Sequence, residues 1–348
     1  MAFDNLSDRE KQVLFNLVNH YIQNADPVGS RVIANRFAMG LSSATIRNTL
    51  QDLEELGLVE QPHTSAGRRP TDEGYRFYVD YLLKPEKLTA REQKLIKEIL
   101  VKQGRGINEM LGQTARLLGE VTHQLGVSVA PRFESGRLKN IHLISLAEDR
   151  IMVVVVLKSG LARSLVLEVQ AKIDDSELYA VEAALNEKLA GLTLAEIRDS
   201  LSDRLESISG HGRLIKLVID SRDKIWTDNT PAGLHIAGAD HLLTMPEFAD
   251  RERLGQLLKM LEDGKILQEF ISSDDQEGLL ITIGKENRFD EIMKCSMVTA
   301  TYRVGNVTGK IGIIGPTRMP YSKLVSVVEY TARSITEVIS GMETDKDA

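Results

Sequence analysis

The sequence predicts a multidomain α+β protein with a winged helix-turn-helix at its N-terminal end. Three observations predict it. Residues 7–57 hold three helical segments with apolar stripes, separated by Gly- and Pro-containing turns. Two short extended pieces around a Gly/Pro tip follow at residues 58–71. Beyond residue 107, strand-sized apolar runs and helical stripes come in blocks, not in β-α alternation.

Bulk properties fit a globular protein. At 348 residues, 42% hydrophobic and 27% charged, the chain is long enough for two or three domains. Met1 to Asn5 lacks the basic start and apolar core of a signal peptide. The longest apolar run, Ile151 to Leu157, falls far short of the ~18 residues a membrane span needs, so no membrane partner is expected. Cys295 is the single cysteine, which excludes an internal disulfide and suits a reducing cytoplasm. With a net charge of −7, any nucleic-acid site has to be a local patch on an acidic body.

Ser7-Asp8-Arg9-Glu10 is a capping box that starts a first helix, with Val13, Leu14, Leu17, Val18, Tyr21 and Ile22 inward, running to about Asn24. Asp26-Pro27-Val28-Gly29 interrupts it. A second helix starts near Ser30 and carries Ile33, Ala34 and Phe37 inward. Met39-Gly40-Leu41 turns the chain towards Ser42, the N-cap of a third helix whose apolar edge is Ile46, Leu50, Leu53 and Leu56 and whose stop is Gly57. The outer face of this third helix presents Ser43, Ala44, Thr45, Arg47, Asn48 and Gln51. Arg suits guanine, Asn and Gln suit adenine, and Ala or a Thr methyl suits the thymine methyl. Taken alone such a face is more often merely solvated, but its neighbours complete a helix-turn-helix with a support helix.

Leu58-Val59-Glu60 and Arg68-Arg69-Pro70-Thr71 flank the tip Gln61 to Gly67 and read as a β-hairpin wing. Ser30, Arg31, His63, Ser65, Arg68 and Arg69 are the candidate backbone contacts. Thr71 caps a fourth helix with Tyr75, Tyr78, Val79, Leu82 and Leu83 inward, and Lys84-Pro85-Glu86-Lys87 is a linker, closing a module over residues 1–88. Acidic side chains slightly outnumber basic ones here but are segregated. Asp52, Glu54, Glu55 and Glu60 sit at the far end of the third helix and beyond, whereas Arg31, Arg36, Arg47, Arg68, Arg69 and Arg76 lie elsewhere. The third helix should therefore approach phosphate N-terminus first, its positive dipole end leading.

Helical stripes continue over residues 89–106, a linker helix, and 107–125, with a bend at Gln103-Gly104-Arg105-Gly106. Ile141–Leu146, Ile151–Leu157 and Leu161–Val169 predict an antiparallel meander in which Val153 to Val156 are buried on both faces. Two helical stripes follow, Leu178, Val181, Leu185 and Leu189, then Leu194, Ile197, Leu201, Leu205 and Ile208; a strand is expected at Leu214–Ile219. These elements interrupt the meander before it closes a domain, so residues 171–231 read as an insertion into a body spanning 107–170 and 232–345. Helix resumes over Leu254–Ile271, broken by Glu262-Asp263-Gly264, strands over Leu279–Ile283, Ser296–Val304 and Lys310–Ile314, and a last helix over Tyr321 to about Ile339, with Met342–Ala348 frayed.

The segments Pro27-Val28-Gly29-Ser30, Ser42 to Asn48, Leu53 to Gly57, His63 to Thr71 and Gly315-Pro316-Thr317-Arg318-Met319 resemble the HrcA family, bacterial heat-inducible transcription repressors, over essentially the whole chain. The resemblance implies that the body is GAF-like and that the insertion is an α/β dimerisation domain. It also implies an inverted-repeat operator upstream of the chaperone operons groE and dnaK, and a GroE chaperonin that keeps the repressor active until heat stress occupies it. A homodimer reading double-stranded DNA on the nucleoid is thus expected. The stripe Leu178, Val181, Leu185 and Leu189 is the candidate interface, although periodicity alone favours internal core for it.

Two rivals stay open. One is a winged-helix regulator with a small ligand in its GAF-like domain; the other is an enzyme with a DNA-binding appendage. No catalytic, metal or cofactor motif supports the second. His20, His63, His123, His142, His211, His235 and His241 form no H-E-x-x-H, and Cys295 has no adjacent histidine. The glycines of Gly309 to Gly315 interrupt a strand instead of opening a helix, so a phosphate loop is not expected there.

Overall fold

The computed structural model describes residues 6–37, 40–64, 66–101, 107–131, 133–169, 173–206, 212–226, 233–262, 264, 277–287 and 289–344. Helix α1 spans Asp8–Asn24 behind the expected capping box: the Ser7 hydroxyl accepts from Glu10 N at 3.3 Å while the Glu10 carboxylate accepts from Ser7 N at 2.6 Å. Helices α2 (Ser30–Arg36) and α3 (Ser43–Glu55) follow, the latter capped by Ser42 and stopped at Gly57, which takes φ +75°. Val13, Leu14, Leu17, Val18, Ile33, Ile46, Leu50 and Leu53 make their common core, with Ala34 and Phe37 only half-buried. Leu56 departs from its expected place. It is 39% exposed, because α3 ends at Glu55 and the turn at Gly57 sends the next residue, Leu58, into the core instead.

Strands β1 (Val59–Glu60) and β2 (Arg69–Pro70) pair antiparallel as the wing. Helix α4 (Asp72–Phe77), capped by Thr71, continues as one wide π turn over Tyr78–Leu82. The wider turn shifts the side-chain register. Tyr75, Phe77 and Tyr78 are buried, whereas Val79, Leu82 and Leu83 are only half-buried.

Helix α5 covers Ala90–Leu100, with its own Thr89/Glu92 capping box, and α6 covers Ile107–Thr122. The bend expected at residues 103–106 lies outside the described residues. Helix α6 ends earlier than periodicity suggests, at His123 with φ +53°, and strand β3 (Leu125–Val129) begins at once. The meander forms as β4 (Leu138–Ala147), β5 (Arg150–Leu157) and β6 (Ala162–Glu168), with Ile144, Met152 and Val166 aligned across it. Only Val153 and Val155 of the valine run are buried; Val154 and Val156 face the half-exposed side.

Helices α7 (Asp175–Leu189), α8 (Leu194–Leu205), α9 (Gly212–Asp220) and α10 (Arg222–Trp226) come next. The strand expected at Leu214–Ile219 is therefore helix α9. Leu214, Ile215 and Val218 are buried at helical spacing, and tertiary packing overrides the β preference of the run. The remaining elements are β7 (Leu234–Ala237), α11 (Ala239–Leu243), α12 (Arg251–Glu262), β8 (Leu279–Ile283), β9 (Cys295–Val304), β10 (Val307–Pro316) and α13 (Tyr321–Thr344). The helix expected over Leu254–Ile271, with its break at Glu262-Asp263-Gly264, is described to Glu262; residues 265–276 lie outside the described residues. Helix continues through Met342–Thr344, where fraying was expected, and 345–348 are outside the described residues.

The elements group into two compact units, one of residues 1–129, 234–301 and 310–334, the other of 130–233, 302–309 and 335–348. In the first, a sheet of order β7-β3-β10-β9-β8 carries a core of Leu125, Val127, Leu257, Met260, Cys295, Met297 and Ile314. In the second, the meander and helices α7–α10 share one core, Ile141, Val153, Val155, Leu201 and Trp226 among its members. The meander and the helices α7–α10 thus lie in one compact unit whose main stretch runs from 130 to 233, with no boundary of compact units at 171. Helix α7 also covers the edge of β4. Asn186 accepts from Ile141 N at 2.8 Å and donates to its carbonyl at 2.9 Å, and Glu182 accepts from Leu143 N at 2.8 Å, so side chains complete the ladder where a strand would.

The proposed dimer stripe is corrected by the same core. Leu178, Val181, Leu185 and Leu189 are 0–4% exposed within a single chain and have no surface left for a partner.

Within the first unit the winged module is fastened to the body. Arg76 pairs with Asp80 and with both oxygens of Glu286 and donates to the Ile281 carbonyl, so it is a body contact and not the DNA-side charge the sequence suggested. Asp72 accepts from Lys285 N at 3.1 Å across Gly284, where a Cβ would lie 2.1 Å from the carboxylate.

Candidate nucleic-acid interface

Helix α3 presents its expected face. Ala44, Arg47, Asn48 and Gln51 are exposed at i, i+3, i+4 and i+7, one stripe on the side opposite Ile46, Leu50 and Leu53. The cap holds the first turn. Ser42 accepts from Thr45 N at 3.1 Å and its hydroxyl meets that of Thr45 at 2.9 Å, which leaves Ser43 and Thr45 half-buried at the entrance. Thr49, fully buried, donates to the Thr45 carbonyl. The N-terminal N–H groups and the exposed Arg47 thus lie in the same half of α3, a positive end with side chains that can read base edges. Gln51 reaches back to Glu55 at 3.4 Å and marks where the reading face passes into the acidic end.

The wing is tied to the start of α2. Val28 N donates to Arg68 O at 2.7 Å and Arg68 N to Val28 O at 2.9 Å, an isolated bridge between the turn before α2 and the base of the wing. Gly67 permits that approach; a Cβ there would sit 2.3 Å from the Val28 carbonyl carbon. This bridge sets Ser30, half-buried, and Arg31, exposed, beside the wing. At the tip, Gln61 donates to the Thr64 and Ala66 carbonyls at 3.0 and 2.9 Å, and His63 is exposed. Ser65 lies outside the described residues.

The two wing arginines are not the bare cations the sequence suggested. Arg68 is paired with Glu54 at 2.8 Å and Arg69 with Glu60 at 2.7 Å. Arg69 also meets Tyr21 of α1; burial works against its charge, but Glu60 and Tyr21 outweigh that and raise its pKa. Arg36 is turned to His20 Nδ1 at 3.0 Å and Gln23 at 3.4 Å. Burial, then the Arg36 charge, hold His20 below its ordinary 6.5. Arg31 and Arg47 are exposed, and no carboxylate is seen against either among the described residues.

Sequence reading missed these partners for a plain reason. Glu54 and Arg68 are fourteen positions apart and meet only through the wing's fold. Gln61 carried no signal beyond its place in a turn. Among the described residues no group of three His, Cys, Asp or Glu could hold a metal ion, and no helix is long and apolar enough to cross a membrane.

Comparisons with known proteins match the chain to a family. The model of the winged helix-turn-helix transcription repressor HrcA, DNA-binding, matches residues 5–79, and that of the HrcA protein C-terminal domain matches residues 108–325. A heat-inducible transcription repressor HrcA from Pelotomaculum thermopropionicum is 38% identical over 96% of this chain and 97% of its own. The protein of the same name from Chlorobium phaeobacteroides is 36% identical over 98% of this chain and 100% of its own. A crystal structure of a hypothetical protein at 2.2 Å covers 97% of this chain and 99% of its own at 25% identity, with a TM-score of 0.58.

Proposed function

The chain belongs to the HrcA family of heat-inducible transcription repressors, and from that premise we propose that it silences the chaperone operons groE and dnaK by binding an inverted-repeat operator as a homodimer. The observation that carries the reading is the stripe Ala44, Arg47, Asn48 and Gln51 at the N-terminal half of α3, flanked by a wing bridged to the start of α2. In this reading the stripe enters the major groove. Ser42, Ser43 and Thr45 line the entrance, and Ser30, Arg31, His63, Ser65, Arg68 and Arg69 flank the backbone. Phosphate then competes with Glu54 and Glu60 for the two wing arginines, so docking exchanges internal pairs for external ones.

A dimer follows from what one module can do. One winged module contacts too little DNA to stand out against the genome, and a two-fold pair reading half-sites an integral number of ~10–10.5 bp turns apart multiplies its discrimination. With the α7 stripe buried, the surface that supports pairing is the outer face of the meander, where Ile144 is 43% and Val166 52% exposed beside Met152. Three strands over about seven residues make a face on the order of 300 Å², the apolar centre of an interface and not its whole area. The five-stranded sheet with α6 is read as the GAF-like part, and the 130–233 unit as the dimerising part.

The family resemblance further supports a GroE chaperonin partner in the bacterial cytoplasm, whose occupation by unfolded clients on heat stress releases the operators. Footprinting on the chaperone promoters with and without chaperonin tests this. Protection of an inverted repeat that strengthens with chaperonin is expected, and promoters left bare under both conditions would overturn it.

A further inference from the structure

The Gly315-Pro316-Thr317-Arg318-Met319 segment runs from the end of β10 towards α13 and lies outside the reading helix and the wing. Its arginine reaches into the winged module. Arg318 Nη1 donates to the Ile22 carbonyl at 2.6 Å, and the rest of the guanidinium lies against Glu247, Nε to Oε1 at 2.5 Å and Nη2 to Oε2 at 3.3 Å. Ile22 is in the last turn of α1, where carbonyls have no partner within the helix. Helix α1 has no basic residue of its own in that turn, so the body supplies the cation for its negative end.

The surroundings make this a stiff contact. The Arg318 side chain is 17% exposed and the Glu247 side chain 27%. Tyr321, fully buried, donates to the Thr317 carbonyl at 2.7 Å and bonds the Ser296 hydroxyl at 2.7 Å, which pins the segment to β9. Tyr75 of α4 lies against the Tyr321 ring with centroids 6.0 Å apart. Tyr21, one residue before Ile22, meets Arg69 of the wing. Body, support helix and wing are thus joined by consecutive contacts.

We infer that Arg318 is a positioning residue for DNA binding: by capping the C-terminal end of α1 from the body, it fixes the attitude of the winged module and hence the aim of the reading helix. Lysine could satisfy one acceptor but not the fork, so Arg318→Lys should keep part of the effect and Arg318→Met none. The consequence for operators rests on the inverted-repeat reading above. A dimer whose heads are held at one attitude tolerates few spacings between half-sites; a dimer with loose heads tolerates many and binds each less well.

Two measurements on the full chain decide it. In the first, spin labels on Gln12→Cys in α1 and Leu243→Cys in α11 report the distance between module and body by pulsed electron resonance. Both sites are solvent-facing, and Cys295, buried with its thiol pushed up to about 12, does not compete for label. A narrow distance distribution that broadens in Arg318→Met, and partly in Arg318→Lys, is expected. Equal widths in all three would overturn the inference, as would a distribution already broad in the parent chain.

In the second, affinity is titrated on duplexes carrying one half-site, the native inverted repeat, and repeats with the spacer changed by two and four base pairs. Arg318→Met should keep its half-site affinity and lose about tenfold or more on the native repeat, with the spacing preference flattened. If Arg318→Met instead weakens half-site and repeat equally and lowers the melting temperature alike, its role is structural and the inference falls. A parent chain that shows no preference for the repeat would refute the operator reading alone, and the distance measurement would still decide the role of Arg318.

Discussion

Replacing Gly67 by alanine tests the wing bridge at its tightest point. The added Cβ would stand 2.3 Å from the Val28 carbonyl carbon, 2.5 Å from its oxygen and 2.7 Å from Gly29 N. All three are backbone atoms, so no side chain can swing away, and relief requires the wing base to leave the 26–29 turn. Leaving breaks the two Val28–Arg68 hydrogen bonds, worth about 0.5–1.5 kcal/mol each, or about 1–3 kcal/mol together. Alanine returns about 0.4–1 kcal/mol by restricting the unfolded chain, so the net local loss lies between about 0 and 2.6 kcal/mol, centred near about 1.3 kcal/mol. Hydrogen exchange at the Val28 and Arg68 amides reads this directly. Exchange should quicken by roughly tenfold, and operator affinity should fall with it. Gly255→Ala is the control: in helix α12, with nothing within 4 Å, the same change should stabilise slightly. Undiminished protection at both amides in Gly67→Ala would refute the reasoning.

Other outcomes follow from the same structure. Arg47→Ala or Asn48→Ala should each cost about 1–3 kcal/mol on the operator and relax preference at one base per half-site, read by gel shift on single-base variants. Glu54→Gln frees Arg68, so it should raise affinity for all duplexes alike and steepen the dependence on salt. Leu185→Asp puts a charge at a fully buried position and should unfold the 130–233 unit, whereas Val166→Asp should yield folded monomers by sedimentation. Because His20 sits below its ordinary 6.5, its contribution to stability is whole above that pH and is lost as pH falls through the lowered value. Melting curves from pH 7.5 to 5 should show that decline, and His20→Gln, which still accepts from Arg36, should lessen it.

Local rules carried the winged module far. Ser7, Ser42, Thr71 and Gly57 act as the caps and stops their positions suggest, because capping depends on three or four neighbouring residues. Reading failed where distance in the chain matters. The run Leu214 to Ile219 has β-forming side chains, and only the core it enters makes it helical. The α7 stripe was legible as a stripe, but whether core or partner covers it depends on a meander thirty residues earlier. Arg68, Arg76 and Arg318 look alike as charges, and each is assigned by a carboxylate far along the sequence, Glu54, Glu286 or Glu247. Of the candidate site, the α3 face was readable; the pairing state of the wing was not.

The contact between Arg318 and Ile22 also imposes an order in time. The winged module is complete by about residue 82, whereas its clamp is translated roughly 240 residues later, an interval of about 12–48 s at ~5–20 residues per second. During that interval a nascent chain carries a formed reading head with nothing to aim it. On the inverted-repeat reading proposed above, a chain that stops before residue 318 keeps the head without the clamp and would occupy half-sites without measuring the distance between them. Within that proposal, comparing two half-sites waits until residue 318 has been made and has reached the last turn of α1.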